Sequence, residues 1–146
     1  MSEDADWLCD VNVLLALALS THVHHRAAHA ALHKHTGRWA TCPLTEASLF
    51  RLLLNPRVTG TEFTATAVRQ ALRGMRSHPR WRWLSDDSSL ADPDITTAVL
   101  VGHQQVTDFH LVNLAARHGL ALATFDGAIS PALAPADRHH VHVVAP

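Results

Sequence analysis

Three short runs, WLC (7–9), WATC (39–42) and LALATF (120–125), are almost entirely apolar, and each borders a stretch with helical spacing. A strand that faces water on one side alternates polar and apolar residues; one buried on both faces does not. Short apolar strands separated by helices predict a mainly parallel sheet of about four to five strands, with helices on both faces, in an α/β fold.

The elements follow in order along the chain. DWLCD reads as a strand ending at Asp10, and VNVLLALALS as a helix running to Ser20. Residues 24–36 are alanine-rich with helical spacing and stop at Gly37, WATC is a second strand, and LTEASLFRLLL starts another helix with Thr45 as its N-cap. Residues 61–77 form a helix closed by Pro79, WRWLSDD a brief strand and acidic loop, and residues 93–101 a helix with Pro93 in its first turn. Thr107 caps a helix through His118, Gly119 fits its C′ position, LALATF is a buried strand ending at Asp126, and VHVV is the last strand. At 146 residues the chain has the size of one domain, so residues 1–146 are read as a single unit.

Charge and composition exclude several classes. With 47% hydrophobic and 17% charged residues and a net charge of −1, the chain is neither compositionally disordered nor polybasic. The start MSEDADW lacks the positive region of a secretory signal, and VLLALAL is too short to span a bilayer, so a cytoplasmic protein without a membrane partner is expected. Cys9 and Cys42 fall in apolar segments and read as buried, reduced thiols.

Function must then come from local arrangement, and four acids share equivalent places. Asp10 ends the first strand, Glu46 opens the helix after the second, Asp108 opens a later helix and Asp126 ends the next strand. In a parallel α/β sheet all four lie at the carboxyl edge, where ligands bind. Singly, each has an ordinary explanation as a helix-start or turn acid. Together, acids flanked by core raise one another's pKa unless a cation is present. A hard divalent ion, Mg²⁺ or Mn²⁺, suits such an oxygen set better than zinc, and the arrangement suits phosphodiester hydrolysis. No GxxxxGKS/T loop, GxSxG elbow, HExxH or CxxC competes with it.

The segments DVNVLLAL (10–17), TEASLFRLL (45–53) with NPRV (55–58), and TDFHLVNLAARHGLALATFD (107–126), in this order, resemble the PIN-domain ribonucleases, and more closely the VapC toxins of bacterial toxin–antitoxin pairs. The resemblance spans nearly the whole chain. It implies a Mg²⁺-dependent endoribonuclease acting on RNA, a homodimer, and inhibition by a cognate VapB-like antitoxin. Carried onto this sequence, Asp10 and Asp108 are the principal metal ligands, with Glu46 and Asp126 completing the set directly or through water. Asn12 and Thr124 match supporting positions, and Thr107 has two readings, a similar support or the N-cap alone. Either Glu46 or Asp126 would serve as the base; the sequence does not choose. After Asp126 it departs from some relatives, with Gly127 and Ala128 where another acid can stand, which weakens the case for a second ion. An RNA-processing nuclease without a toxin role, or a degenerate PIN interaction module, are the alternative readings.

Other features have two readings each. Arg69, Arg73 and Arg76 share a helix face with Trp81 and Trp83 just beyond, which suits an RNA-backbone track with stacking or a solvated face followed by core tryptophans. Arg51 and Arg57 lie nearer the acids and suit phosphate contact or surface ion pairs. His25, His29 and His33 recur every four residues on what reads as an exposed, non-functional face, and Asp86, Asp87, Asp92 and Asp94 as a solvated loop and helix start.

Overall fold

The computed structural model describes residues 5–146; the first four residues of the acidic start lie outside the described residues. The elements are β1 (Trp7–Cys9), α1 (Val11–Ala18), α2 (His25–Lys34), β2 (Trp39–Thr41), α3 (Pro43–Leu53), α4 (Pro56–Thr59), α5 (Ala65–Arg76), β3 (Trp81–Trp83), α6 (Val106–Arg117), β4 (Ala121–Thr124), α7 (Ile129–Ala132) and β5 (Val141–Val143). The five strands form one sheet in the order β3-β2-β1-β4-β5, and every neighbouring pair is parallel.

Strand periodicity divides the core into two layers. Trp7, Cys9, Trp39, Ala121 and Ala123 point to one face and pack with Val13, Leu14, Leu32, Leu49 and Val68, contributed by α1, α2, α3 and α5. Leu8, Ala40 and Leu122 point to the other and pack with Phe109, Val112, Leu114 and Ile129, mostly from α6. Burial on both sides is the reason the strand sequences are unbroken apolar runs. Both cysteines are free and buried, and burial, reinforced by the neighbouring Asp10 charge, pushes the Cys9 thiol up to about 12.

Helix ends are held from a distance. The carbonyls of Ala16 and Leu17 at the end of α1 accept from His25 Nδ1 (2.7 Å) and His29 Nε2 (3.1 Å), so two members of the histidine face are structural donors, although His29, like His33, stays exposed. The end of α2 is closed by Arg80, whose guanidinium donates to the carbonyls of Leu32 (2.6 Å), Gly37 (3.0 Å) and His35. Arg80→Ala leaves those carbonyls without their charged donor, and a loss of about 2 kcal/mol is expected. Urea denaturation checks this; an unchanged midpoint would show that water replaces the guanidinium at no cost.

The structure corrects several sequence expectations. Residues 93–101 are not a helix. Ile95 is buried in the second core layer, and the Asp94 and Thr96 amides donate to Asn113 Oδ1 (2.7 Å) and Asp137 Oδ2 (2.9 Å), which holds the segment irregular against α6. Three acids here and in the preceding loop are anchored as well: Asp86 bonds His110, Asp87 bonds His118 and faces Arg117, and Asp94 faces Arg117. α3 begins two residues before Thr45, at Pro43, and the Thr45 hydroxyl folds back onto the Cys42 amide (3.1 Å) from inside the first turn. α6 is capped by Gln105 after a single 3-10 turn at His103–Gln105, so Thr107 is an exposed first-turn residue and not the cap. The helix expected over 61–77 starts at Ala65 with Thr64 as its cap, and α4 precedes it, opened by Asn55 and closed by Gly60 at φ 75°. Gly119, at φ 71°, takes the expected left-handed position after α6.

Candidate active site

From β1 the chain winds outward through β2 to β3, then returns to build β4 and β5 on the other side. The reversal leaves a crevice beyond the carboxyl ends of β1 and β4, the place where open α/β sheets bind ligands. Asp10 follows β1 directly, Asp126 comes two residues after β4, and α6, which descends to β4, presents Asp108 in its first turn.

One buried hydroxyl ties this crevice together. Thr124 Oγ1, fully buried at the end of β4, donates to Asp10 Oδ2 (2.8 Å) and accepts from Asn12 Nδ2 (3.0 Å) and the Asp126 amide (3.0 Å). Asp10 Oδ1 accepts from the Val11 amide (2.7 Å), and Asn12 Oδ1 from the Phe125 amide (3.2 Å). Asp10 is only 6% exposed, so its carboxylate is fixed in one orientation by the first helix turn and by β4.

The charges are uncompensated. Among the described residues no lysine, arginine or histidine forms an ion pair with Asp10, Asp108 or Asp126. Burial raises the Asp10 carboxyl and the Asp126 charge raises it further, against the lowering hydrogen bonds from Thr124 and Val11. Burial, then Asp10 and Asp126, push Asp108 up to about 6. Asp108 and Asp126 also line a small cleft of about 90 Å³ with Gln105, Phe109 and Ile129. A set of hard oxygens without a counter-cation fits a hard divalent ion. Among the described residues no three His, Cys, Asp or Glu side chains stand close enough together to hold a metal ion between them. An ion at this place would therefore rest on one or two carboxylates, with water completing its shell.

Glu46 stands apart from the three aspartates. Its Oε2 accepts from the Thr41 hydroxyl (2.6 Å) and faces Arg76 Nε at 3.8 Å, while Trp81 Nε1 donates to Thr41 Oγ1 (2.9 Å). The expected quartet is thus three mutually exposed aspartate charges and one glutamate with its own counter-ion. Sequence reasoning missed Thr41, and read Trp81 as part of an RNA track or the core without its link to Glu46. The available signal was positional, since Thr41 ends β2 as Thr124 ends β4.

The remaining candidates are dispersed. Arg51, Arg57 and Arg73 are exposed, and among the described residues their guanidinium groups make no ion pair or hydrogen bond. Thr107 is exposed and likewise makes no side-chain hydrogen bond among the described residues.

Comparison with known proteins bears on this geometry. Residues 7–131 match the PIN domain. The chain is 43% identical over 123 residues to "Ribonuclease VapC38" of Mycobacterium tuberculosis, covering 84% of this chain and 86% of that one. It is 39% identical over 132 residues to "Ribonuclease VapC39" of the same organism (84% and 90% covered), and 33% identical over 136 residues to "Ribonuclease VapC44" (92% and 96%). In structure it is similar to M. tuberculosis VapC20, described as a sarcin–ricin loop cleaving toxin, at a TM-score of 0.57 and 17% identity, covering 86% of this chain and 94% of that one. At that identity the last likeness speaks to the fold.

Proposed function

Since the chain belongs to the PIN domain family and, within it, to the VapC ribonucleases, we propose that it is a Mg²⁺-dependent endoribonuclease, the toxin of a type II toxin–antitoxin pair. One observation supports the reading: Asp10, Asp108 and Asp126 lie toward the sheet's reversal point, the Asp10 and Asp126 charges raise the Asp108 carboxyl, and among the described residues none of the three has a counter-cation. The residues would work as one domain spanning the chain, in a cytoplasmic homodimer held inactive by a VapB-like antitoxin. Among the described residues no helix is long and apolar enough to cross a membrane.

Asp10 and Asp108 would hold the ion, with Mn²⁺ as a substitute for Mg²⁺, and Asp126 would assist. When bound, the ion supplies a more acidic water and neutralises charge that grows on the phosphate during in-line displacement. Thr124 and Asn12 fix the Asp10 carboxylate so that it needs no reorganisation as that charge develops. Of the two candidate bases, Asp126 is the freer: its Oδ1 accepts from the Ala128 amide (2.9 Å), and among the described residues Oδ2 accepts no hydrogen bond. Glu46, held by Thr41 and faced by Arg76, is placed to orient the groups around it. Thr107, exposed in the first turn of α6 beside Asp108, is assigned to the rim of the site.

The test is cleavage of total cellular RNA by antitoxin-free protein with Mg²⁺ and with EDTA, mapping new 5′ ends. Discrete cuts that vanish with EDTA and on adding the cognate antitoxin are expected. Absence of cuts together with no Mg²⁺-dependent rise in melting temperature would sink the reading, because a ligand that binds only the folded state must stabilise it.

A further inference from the structure

The edge strand β3 carries an arrangement that the acidic crevice does not explain. The Arg76 guanidinium lies 4.5 Å from the centroid of Trp81 and 5.1 Å from that of Trp83, so one cation is in contact with two indoles. Trp81 is pinned by its bond to Thr41, whose hydroxyl in turn holds Glu46. Trp83 is not pinned: it is 41% exposed, an unusual condition for so large a ring. Arg76 is itself 42% exposed, and among the described residues its guanidinium donates no hydrogen bond and meets Glu46 only at a loose 3.8 Å. A guanidinium held in place by two rings, with its donors unspent, is prepared for an oxyanion from outside. The exposed Arg73 lies one turn earlier on the same helix and extends the positive surface.

We propose that Arg76, Trp81 and Trp83 form a shelf for one nucleotide of single-stranded RNA, its base stacked on the open face of Trp83 and a backbone phosphate on Arg76. The proposal rests on the nuclease reading for the class of ligand, and gives that reading a substrate subsite at the end of β3, on the same sheet edge as Asp10. A flat exposed ring beside a cation is the combination that single-strand binders use, because every base has a face to stack while the phosphate supplies charge.

The experiment measures binding of short fluorescein-labelled oligouridylate and oligoadenylate to Asp108→Asn protein, by anisotropy and by quenching of intrinsic tryptophan fluorescence. Added Trp83→Ala is expected to weaken binding about tenfold or more and to remove most of the quenching. Added Arg76→Gln is expected to weaken binding and flatten the slope of log affinity against log salt by about 0.7. Trp83→Phe should bind nearly as the parent does, which keeps the test open if Trp83→Ala fails to fold. Parental affinity and quenching in folded Trp83→Ala, or an unchanged salt slope in Arg76→Gln, would overturn the shelf and leave the stack a structural or protein-docking device. The two readings fail separately. Mg²⁺-dependent cleavage by the parent with parental binding by both variants removes the shelf alone, whereas no cleavage but Trp83-dependent binding removes the nuclease and keeps the shelf.

Discussion

Asp108→Asn is expected to abolish RNA cleavage, by about a thousandfold or more, while making the metal-free protein more stable at neutral pH. The first effect follows because stabilising the charge of a phosphoryl transition state through a bound ion is worth several kcal/mol, and each 1.4 kcal/mol is about tenfold in rate. The second follows from linkage. The Asp108 carboxyl is raised in the folded state, first by burial and then by Asp10 and Asp126, to about 6 from an ordinary 3.8. The folded protein therefore holds this proton more tightly than the unfolded chain does. That contribution is fully present below the unfolded value and is lost as pH rises through the folded one, so at about pH 8 the ionised group is a burden on the fold. Half-exposure and salt reduce it to about 1 kcal/mol. Asparagine keeps the shape and removes the charge. Urea midpoints should favour the variant at about pH 8 without divalent ion, converge at about pH 4, and converge again in saturating Mg²⁺, which lifts the parent alone. Parental cleavage by the variant, or a variant less stable than the parent at the higher pH, would remove Asp108 from the site.

The same electrostatics explain how much of the site could be read from the sequence. Asp10, Asp108 and Asp126 each neighbour an apolar run, and a βα alternation puts strand ends and helix starts on one edge, so their placement toward the carboxyl ends of β1 and β4 needed no long-range information. The separation of Glu46 did. Its counter-ion comes 30 positions later, from Arg76, and its second support from Trp81 through Thr41, and no local pattern announces either. The fold shows the same division. Continuous apolar strands were legible because both faces of the sheet are buried, whereas residues 93–101 read as a helix from Pro93 alone. The amides of Asp94 and Thr96 are claimed by Asn113 and Asp137, side chains 19 and 41 positions away, and tertiary partners of that kind override local propensity. A polar residue in the middle of an apolar helix, Asn113 among Leu111, Val112 and Leu114, was the one visible sign that something had to meet it.

Thr124→Val should have the largest effect of any change that leaves every acid in place. The hydroxyl it removes serves three partners at once; it and Asp10 are buried, while Asn12 is half-buried and Asp126 exposed. Valine fills nearly the same volume, so the loss is one of hydrogen bonding: Asp10 Oδ2 loses a donor, and Asn12 Nδ2 and the Asp126 amide lose an acceptor. A buried polar atom left unpaired costs about 1 to 3 kcal/mol, and since water can reach Asn12 and Asp126 the total should be about 2 kcal/mol. Outer supports of a metal ligand typically matter by about tenfold to a hundredfold in activity, and a loss in that range is expected here. A purely structural role would lower stability and stop there. The positioning role has a further signature, because the Thr124 hydrogen bond lowers the Asp10 carboxyl against the raising effect of burial. Without it Asp10 keeps its proton to higher pH, and the pH at which Mg²⁺ begins to raise the melting temperature must move upward with it. Thr124→Ser, which restores the hydroxyl and removes only a methyl group, should return both the activity and that pH onset toward the parent. A Thr124→Val protein that is destabilised but keeps the parental onset would confine Thr124 to holding β4 against β1, and leave the orientation of Asp10 to the first turn of α1.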